Sequence, residues 1–167
     1  MARLENLLGA YALSVTDELL GPGGTDRAAL VTLLAHPGRT VSWLADVLGL
    51  TGSGATRLVT RLEREGLVAR TAGADTRERR VRLTVPGRER AHAVLDERAD
   101  SLAARTTRLS STQRRDLENL LGVLVGEAAD TRLPALRTCR LCDRGACTSD
   151  GRECPLEHTV DPADPHT

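Results

Sequence analysis

Apolar residues at helical spacing open the chain: Leu4, Leu7, Leu8, Tyr11, Ala12, Val15 and Leu19 form a single stripe, the mark of an amphipathic helix. The run Gly-Pro-Gly-Gly at 21–24 ends it. Thr25 or Asp26 is placed to cap a second helix through Leu30, Val31, Leu33 and Leu34, stopped by His36-Pro37-Gly38. Thr40 is placed to cap a third carrying Trp43, Leu44, Val47 and Leu48, which Gly49 breaks. Leu50-Thr51 leads into a fourth with Leu58, Val59 and Leu62 on its buried face, closed by Gly66.

The period then changes. Val68–Arg70 and Arg79–Thr84 read as strands; in the second, Arg79, Val81, Leu83 and Val85 share one parity while Arg80, Arg82 and Thr84 share the other. Alternation of that kind fits a half-buried hairpin arm, with Ala72-Gly73-Ala74-Asp75 at its tip. After Pro86 a long helix runs to about Leu109 on Ala91, Leu95, Ala99 and Leu102. Ser110 and Gln113 make a capping-box pattern ahead of a last long helix on Leu117, Leu120, Leu121, Leu124, Val125 and Ala128. Two short helices around Gly49, followed by a basic hairpin, spell a winged helix-turn-helix. The expected fold is mostly α with a small β wing, flanked by long N- and C-terminal helices.

Those end helices carry more apolar surface than one small wing domain needs to cover, so they are expected to pair with a second copy. The expected organisation is an N-terminal dimerisation helix at 1–25, the DNA-binding unit at 26–87, C-terminal dimerisation helices at 88–130, a cysteine-rich metal-binding segment at 131–158 and a disordered tail at 159–167.

Charge sharpens the picture. The 167 residues carry no net charge, which alone argues against a nucleic-acid partner. Residues 51–90, however, hold ten Arg against five acids, whereas 1–50 hold three against five and 91–167 hold ten against thirteen. The positive field is thus concentrated where the hairpin lies, and local field governs association. Every basic residue is Arg, a bias of a GC-rich genome to which individual positions add little. No apolar run reaches the roughly eighteen residues that span a bilayer, and the N-terminus lacks a signal-peptide pattern; a soluble, cytoplasmic protein is expected.

The stretch Ser42–Arg70 followed by Asp75–Gly87 resembles the MarR family of bacterial transcription regulators. The matching elements are Leu44-Ala45, then Arg61-Leu62-Glu63 to Gly66-Leu67-Val68, then Asp75, Arg77, Val81, Leu83, Thr84 and Gly87; order and length of the flanking helices extend the match over roughly residues 3–130. The resemblance implies an obligate homodimer with interlocked terminal helices, reading the two half-sites of a pseudo-palindrome in double-stranded DNA. It places the recognition helix from about Thr51, with Ser53, Thr56, Arg57 and Thr60 toward the major groove. Hydroxyls suit phosphates or base edges there, and Arg suits a bidentate grip on guanine. It sends Arg77 at the wing tip toward the minor groove, with Asp75 orienting an arginine nearby and Arg79 and Arg80 adding phosphate contacts. Arg61, Arg64 and Arg82 read equally well as solvated surface. Gly52 and Gly54 depart from a good helix start, each costing about 1 kcal/mol against Ala in a helix interior and less in a first turn. Trp43 stands where the family usually has a polar residue and is expected to pack on a neighbouring helix. A small-molecule effector between the dimer and DNA-binding lobes is a further partner the family pattern allows, although a chain without Phe offers little for stacking an aromatic one.

All four cysteines, Cys139, Cys142, Cys147 and Cys154, fall within sixteen residues at spacing C-x2-C-x4-C-x6-C, with Pro155 after the last. The segment has few apolar residues to hold a fold, and a metal would supply the missing order. Three readings compete. A four-thiolate zinc site favours two tight Cys-x2-Cys knuckles, of which only one is present. An iron–sulfur cluster accepts unequal gaps, and a closing Cys-Pro recurs in such sites; the arrangement is similar to the four-cysteine cluster loops of other bacterial redox regulators. Disulfide switching is third, since several of the short loops would be strained. We rank the cluster first and zinc second; His158 is read as a free tail histidine rather than a ligand. A metal site there is expected to alter the angle between the two DNA-binding lobes. An enzyme built on Cys139-x2-Cys142, a small thiol oxidoreductase, lacks the strand–loop–helix context and any acid, base or nucleophile constellation. A winged-helix adaptor that binds protein would tolerate neutral residues at 57 and 77.

Overall fold

The computed structural model describes residues 2–20, 23–72 and 79–160. Helix α1 (Ala2–Leu20) precedes α2 (Gly24–Ala35), strand β1 (Arg39–Thr40), α3 (Val41–Leu48), α4 (Gly52–Arg64), β2 (Val68–Ala72), β3 (Arg79–Leu83), α5 (Val85–Thr106), α6 (Ser111–Gly126), α7 (Arg132–Thr138) and the single turn α8 (Arg144–Cys147). It is a helical protein with one small antiparallel sheet, in the order β1-β3-β2.

The cap of α2 lies two residues ahead of Thr25, the nearer of the two expected caps. Gly23 takes the cap position in a left-handed conformation, φ 80°, with no side-chain bond, so Thr25 and Asp26 lie inside the first turn instead. There Asp26 pairs with Arg61 of α4. Ala28 through Leu33 are all buried, because α2 is covered on two sides rather than one. Leu30 and Leu33 join Leu44, Leu58, Val59, Leu62, Val68, Val81 and Ala91 in the main core. Val31 faces the other way, onto Val94 and Leu95 of α5 and Leu141 of the tail.

Local chemistry sets the helix starts elsewhere. Thr40 Oγ1 accepts from Trp43 N at 3.1 Å, and Ser110 and Gln113 exchange both bonds of a capping box, each cap satisfying donors that the first turn leaves without a partner. Helix α3 ends at Gly49, φ 66°. β2 and β3 pair with Val68 opposite Leu83 and Arg70 opposite Val81, and β1 adds Arg39 opposite Val81. The wing tip, with Asp75 and Arg77, lies outside the described residues.

α5 ends at Thr106, three residues before the expected stop, and buries Ala91, Val94 and Leu95 while Ala99 is exposed. α6 buries nothing within the chain. Its Leu120, Leu121, Val123 and Leu124 are exposed, as are Leu4, Leu7, Leu8, Tyr11 and Leu13 of α1. No helix among the described residues is long and apolar enough to cross a membrane.

The cysteine segment is better packed than its composition indicates. Ala129, Ala135 and Leu156 make a small buried cluster flanked by Val125, Cys139 and Cys154. Thr159 is buried as well, so ordered packing passes the expected boundary at 158; residues 161–167 lie outside the description. His158 is not a free tail side chain: its ring sits between the carbonyls of Ala129 (Nε2, 3.0 Å) and Pro155 (Nδ1, 3.2 Å).

Candidate nucleic-acid interface and thiol centre

Helix α4 separates two faces cleanly. Ala55, Leu58, Val59 and Leu62 are buried, and Ser53, Thr56, Arg57 and Thr60 are all exposed on the opposite stripe, as the i, i+3, i+4, i+7 spacing of one helix face requires. Thr51 Oγ1 caps the helix by accepting from Gly54 N at 3.1 Å. A Cβ on Gly54 would lie 3.1 Å from that same Oγ1, so the small residue makes room for the cap. At Gly52 a Cβ would meet nothing.

The hydroxyls are already partly engaged. Thr56 Oγ1 donates to Gly52 O at 2.9 Å and keeps its lone pairs for a donor. Ser53 Oγ lies 3.3 Å from Thr51 Oγ1. Thr60 Oγ1 accepts from Arg70 Nη2 at 2.9 Å, and Arg70 also pairs with Glu63. Arg70, which sequence reasoning passed over, therefore ties β2 to α4. Its cue was the position opposite Val81 in the ladder, visible only once register is known.

The wing arginines divide in the same way. Arg79 is exposed at the outer end of β3. Arg80 is half-buried and donates from Nη1 to Gly38 O at 3.1 Å. The Arg82 guanidinium lies over Gly38, 3.0 Å from where a Cβ there would stand. Trp43 packs as anticipated, but on the end of α2: its ring centroid is 5.4 Å from that of His36, with the Arg39 guanidinium 5.0 Å above it.

The four cysteines come together. Cys139, Cys142, Cys147 and Cys154 line one cavity of about 50 Å3 with Thr32 and His36 of α2 and with Arg132 and Arg144. All four are half-buried and unbridged. Cys139 closes α7, and Cys142 N donates to Cys139 O at 2.8 Å in the turn that follows. Asp143 caps α8 by accepting from Ala146 N, which positions Cys147 one turn on.

The thiols feel one another. A hydrogen bond from the Cys142 thiol stabilises the Cys139 thiolate and lowers its pKa; the same bond, then burial, pushes Cys142 strongly up. Burial and the neighbouring Cys142 and Cys154 raise Cys147 to about 11. His36 is held down at about 4 by burial first, and then by Arg144, Arg132 and Arg39. Arg132 lies close enough to Cys139 and Cys154 to interact with both. Arg98 of α5 stands beside Cys142, and its Nε–H is buried without an acceptor. Among the described residues, no group of three or more His, Cys, Asp or Glu is arranged to hold a metal ion. The four thiols thus share a cavity without a preformed ligand shell, whether for zinc or for a cluster.

The sequence model of the MarR family matches residues 20–78. No curated protein sequence matches the chain. Among solved structures, a MarR family protein from Bacillus stearothermophilus shares 32% identity with a TM-score of 0.66, over 75% of this chain and 93% of that one. The YusO protein from Bacillus subtilis shares 25% identity, TM-score 0.64, over 77% and 96%. MepR, a transcription regulator of the Staphylococcus aureus multidrug efflux pump MepA, shares 21% identity, TM-score 0.61, over 77% and 98%, a likeness of fold.

Proposed function

The chain belongs to the MarR family of transcription regulators, and from that premise we propose that it is a homodimeric repressor of pseudo-palindromic duplex DNA whose binding responds to the state of its thiol centre. It is a regulator and not an enzyme. The observation that carries the DNA reading is α4, which turns Ser53, Thr56, Arg57 and Thr60 outward from a face buried by Ala55, Leu58, Val59 and Leu62. That stripe lies within the segment 51–90, whose net charge of +5 is the electrostatic footprint a DNA-binding surface needs. Arg77 at the wing tip is taken as the minor-groove contact, with Asp75 orienting it or a neighbour.

Selection of bound sites from random duplexes, followed by transcription from a promoter overlapping the selected site, tests this directly. Two inverted half-sites and reduced transcription are expected. Binding without sequence preference would remove the operator reading, and increased transcription would make the protein an activator.

For the thiol centre we favour an iron–sulfur cluster over zinc. Four cysteines supply the usual ligand number. The cavity of about 50 Å3 exceeds what one water requires and suits a multi-atom occupant. Arg132 brings positive charge to Cys139 and Cys154, and Arg98, whose buried Nε–H has no acceptor, brings it to Cys142. When bound, a cluster supplies a redox- and iron-sensitive centre. Protein purified without oxygen should be brown, with iron and sulfide near stoichiometric to the chain. Colourless protein with one zinc would overturn the cluster and leave a zinc clasp.

A further inference from the structure

Helix α7 joins the thiol centre to the DNA-reading unit. Arg137 Nε donates to Asp46 O at 2.9 Å. That carbonyl belongs to the last turn of α3, where intrahelical donors run out; Gly49 N reaches it only at 3.3 Å. α3 has no basic residue in its own last turn, so Arg137 brings the cation that a helix C-terminus attracts. Two residues after Arg137 comes Cys139; after Gly49 come Leu50 and the Thr51 cap of α4. One guanidinium therefore ties the helix that ends at Cys139 to the turn of the helix-turn-helix.

The loop between the first two cysteines is tethered to the same body. Thr32 Oγ1 of α2 donates to Arg140 O at 3.3 Å, and Leu141 packs on the cluster of Val31, Val94 and Leu95. The tail thus folds back against α2 and α3, rather than acting only on the dimer helices from which it departs. α7 has seven residues, far below the roughly 12–15 at which an isolated helix is even marginal in water. Its order depends on what it packs against and on the thiol centre at its end.

We propose that occupancy of the thiol centre sets DNA affinity through α7 and Arg137: a loaded centre keeps α7 docked and the α3–α4 turn fixed, and an empty one releases both. The proposal rests on the cluster reading of the four cysteines. A fixed turn presents α4 already oriented, so ordering is not charged against binding. The loaded protein is the tighter DNA binder.

The test uses the full chain, prepared without oxygen and either reconstituted with ferrous iron and sulfide or stripped with a chelator. Wild type, Arg137→Ala, Arg137→Lys and Cys142→Ser are compared for iron and sulfide content, affinity for the duplex selected by wild type, and amide exchange at residues 46–52. Loaded wild type should bind about 5- to 150-fold more tightly than stripped protein, the usual range of coupling between sites, with slower exchange at 46–52. Arg137→Ala should take up the same iron and sulfide yet lose most of that ratio, with fast exchange in both forms. Arg137→Lys, which keeps a charged donor, should recover part of it. Cys142→Ser should behave as stripped. If wild type responds to loading and Arg137→Ala responds equally, the α7 route is wrong while the sensor reading stands. A wild type that loads without a change in affinity sinks the sensor reading and the route together. Failure to take up iron and sulfide removes the cluster. Helix content by circular dichroism confirms that each variant is folded.

Discussion

The backbone of Gly87 runs directly over the carbonyl of Leu67: a Cβ at position 87 would stand 1.8 Å from Leu67 O and 2.8 Å from its carbon. The same carbonyl accepts from Thr84 N at 3.0 Å, and Thr84 Oγ1 donates to the adjacent Gly66 O at 2.6 Å while capping α5 through Gly87 N. The end of the recognition helix, the wing and the long C-terminal helix are thereby joined at one point. This gives the Leu83-Thr84-x-x-Gly87 pattern a physical reason: the threonine stitches two segments, and only glycine lets α5 approach so closely.

Gly87→Ala should therefore destabilise the protein by at least about 1–3 kcal/mol, the usual cost of forcing atoms into a filled space. The helix propensity gained, about 1 kcal/mol, is too small to offset it, because the obstruction is backbone and cannot rotate away. Gly52→Ala is the control, since its Cβ would meet nothing, and should keep full stability. Denaturant midpoints of the two variants decide the matter; equal midpoints would show that α5 can shift without cost.

The arginines around the DNA face should separate by role. Arg57 is exposed on the outward stripe of α4, so Arg57→Ala should weaken binding and lower the slope of log affinity against log salt by about one. Arg77→Ala is expected to act in the same way. Arg80, although in the basic wing, donates to Gly38 O and holds β3 to the turn before β1. Arg80→Ala should cost about 1 kcal/mol of stability and leave the salt slope nearly unchanged. A drop of one unit in the slope for Arg80→Ala would return it to the phosphate contacts.

Acid should weaken the fold through His36. Unfolded, its ring takes a proton near pH 6.5; folded, burial and then Arg144, Arg132 and Arg39 hold that step at about 4. Between these values the unfolded chain binds the proton and the folded one does not, so stability present above pH 6.5 is lost progressively as pH falls to 4. The contribution is at most about 3 kcal/mol. His36→Gln should flatten this dependence in urea titrations of the metal-free protein from pH 7 to 4. An equally steep decline in the variant would assign the acid sensitivity to other groups.

The parts of this fold that could be read from the sequence are those whose signals are local. Thr40 and Ser110 are caps because a hydroxyl reaches an amide three residues on, a geometry that needs no distant partner. The outward stripe of α4 follows from the spacing of Leu58, Val59 and Leu62 alone. β1 could not be read: two residues carry no alternation, and only pairing with β3 makes Arg39–Thr40 a strand. Val94 lies on the same face of α5 as Ala91 and Leu95, at i, i+3 and i+4, so its signal was local as well and was passed over. The gathering of the cysteines was legible in their spacing, but their seat was not. α7 contains Pro134, tolerated only because it falls in the first turn, and its burial of Ala135 depends on Ala129 and on Leu156, which lies beyond the last cysteine.

The unpartnered apolar surface predicts how the copies meet. Single exposed apolar residues are ordinary, but α6 exposes Leu120, Leu121, Val123 and Leu124 together while burying no residue of its own, and α1 exposes Leu4, Leu7, Leu8, Tyr11 and Leu13. Contiguous stripes of that kind mark an interface. A charge placed in the stripe would be desolvated without a partner on association, which opposes dimerisation strongly. Because Leu7 and Leu124 are 59% and 51% exposed, replacing them costs the single chain little. Leu7→Glu with Leu124→Glu should therefore sediment near the 17.9 kDa of one chain, where wild type is expected at twice that mass, and should retain affinity only for a half-site. A double variant that stays dimeric would place the interface elsewhere on the molecule.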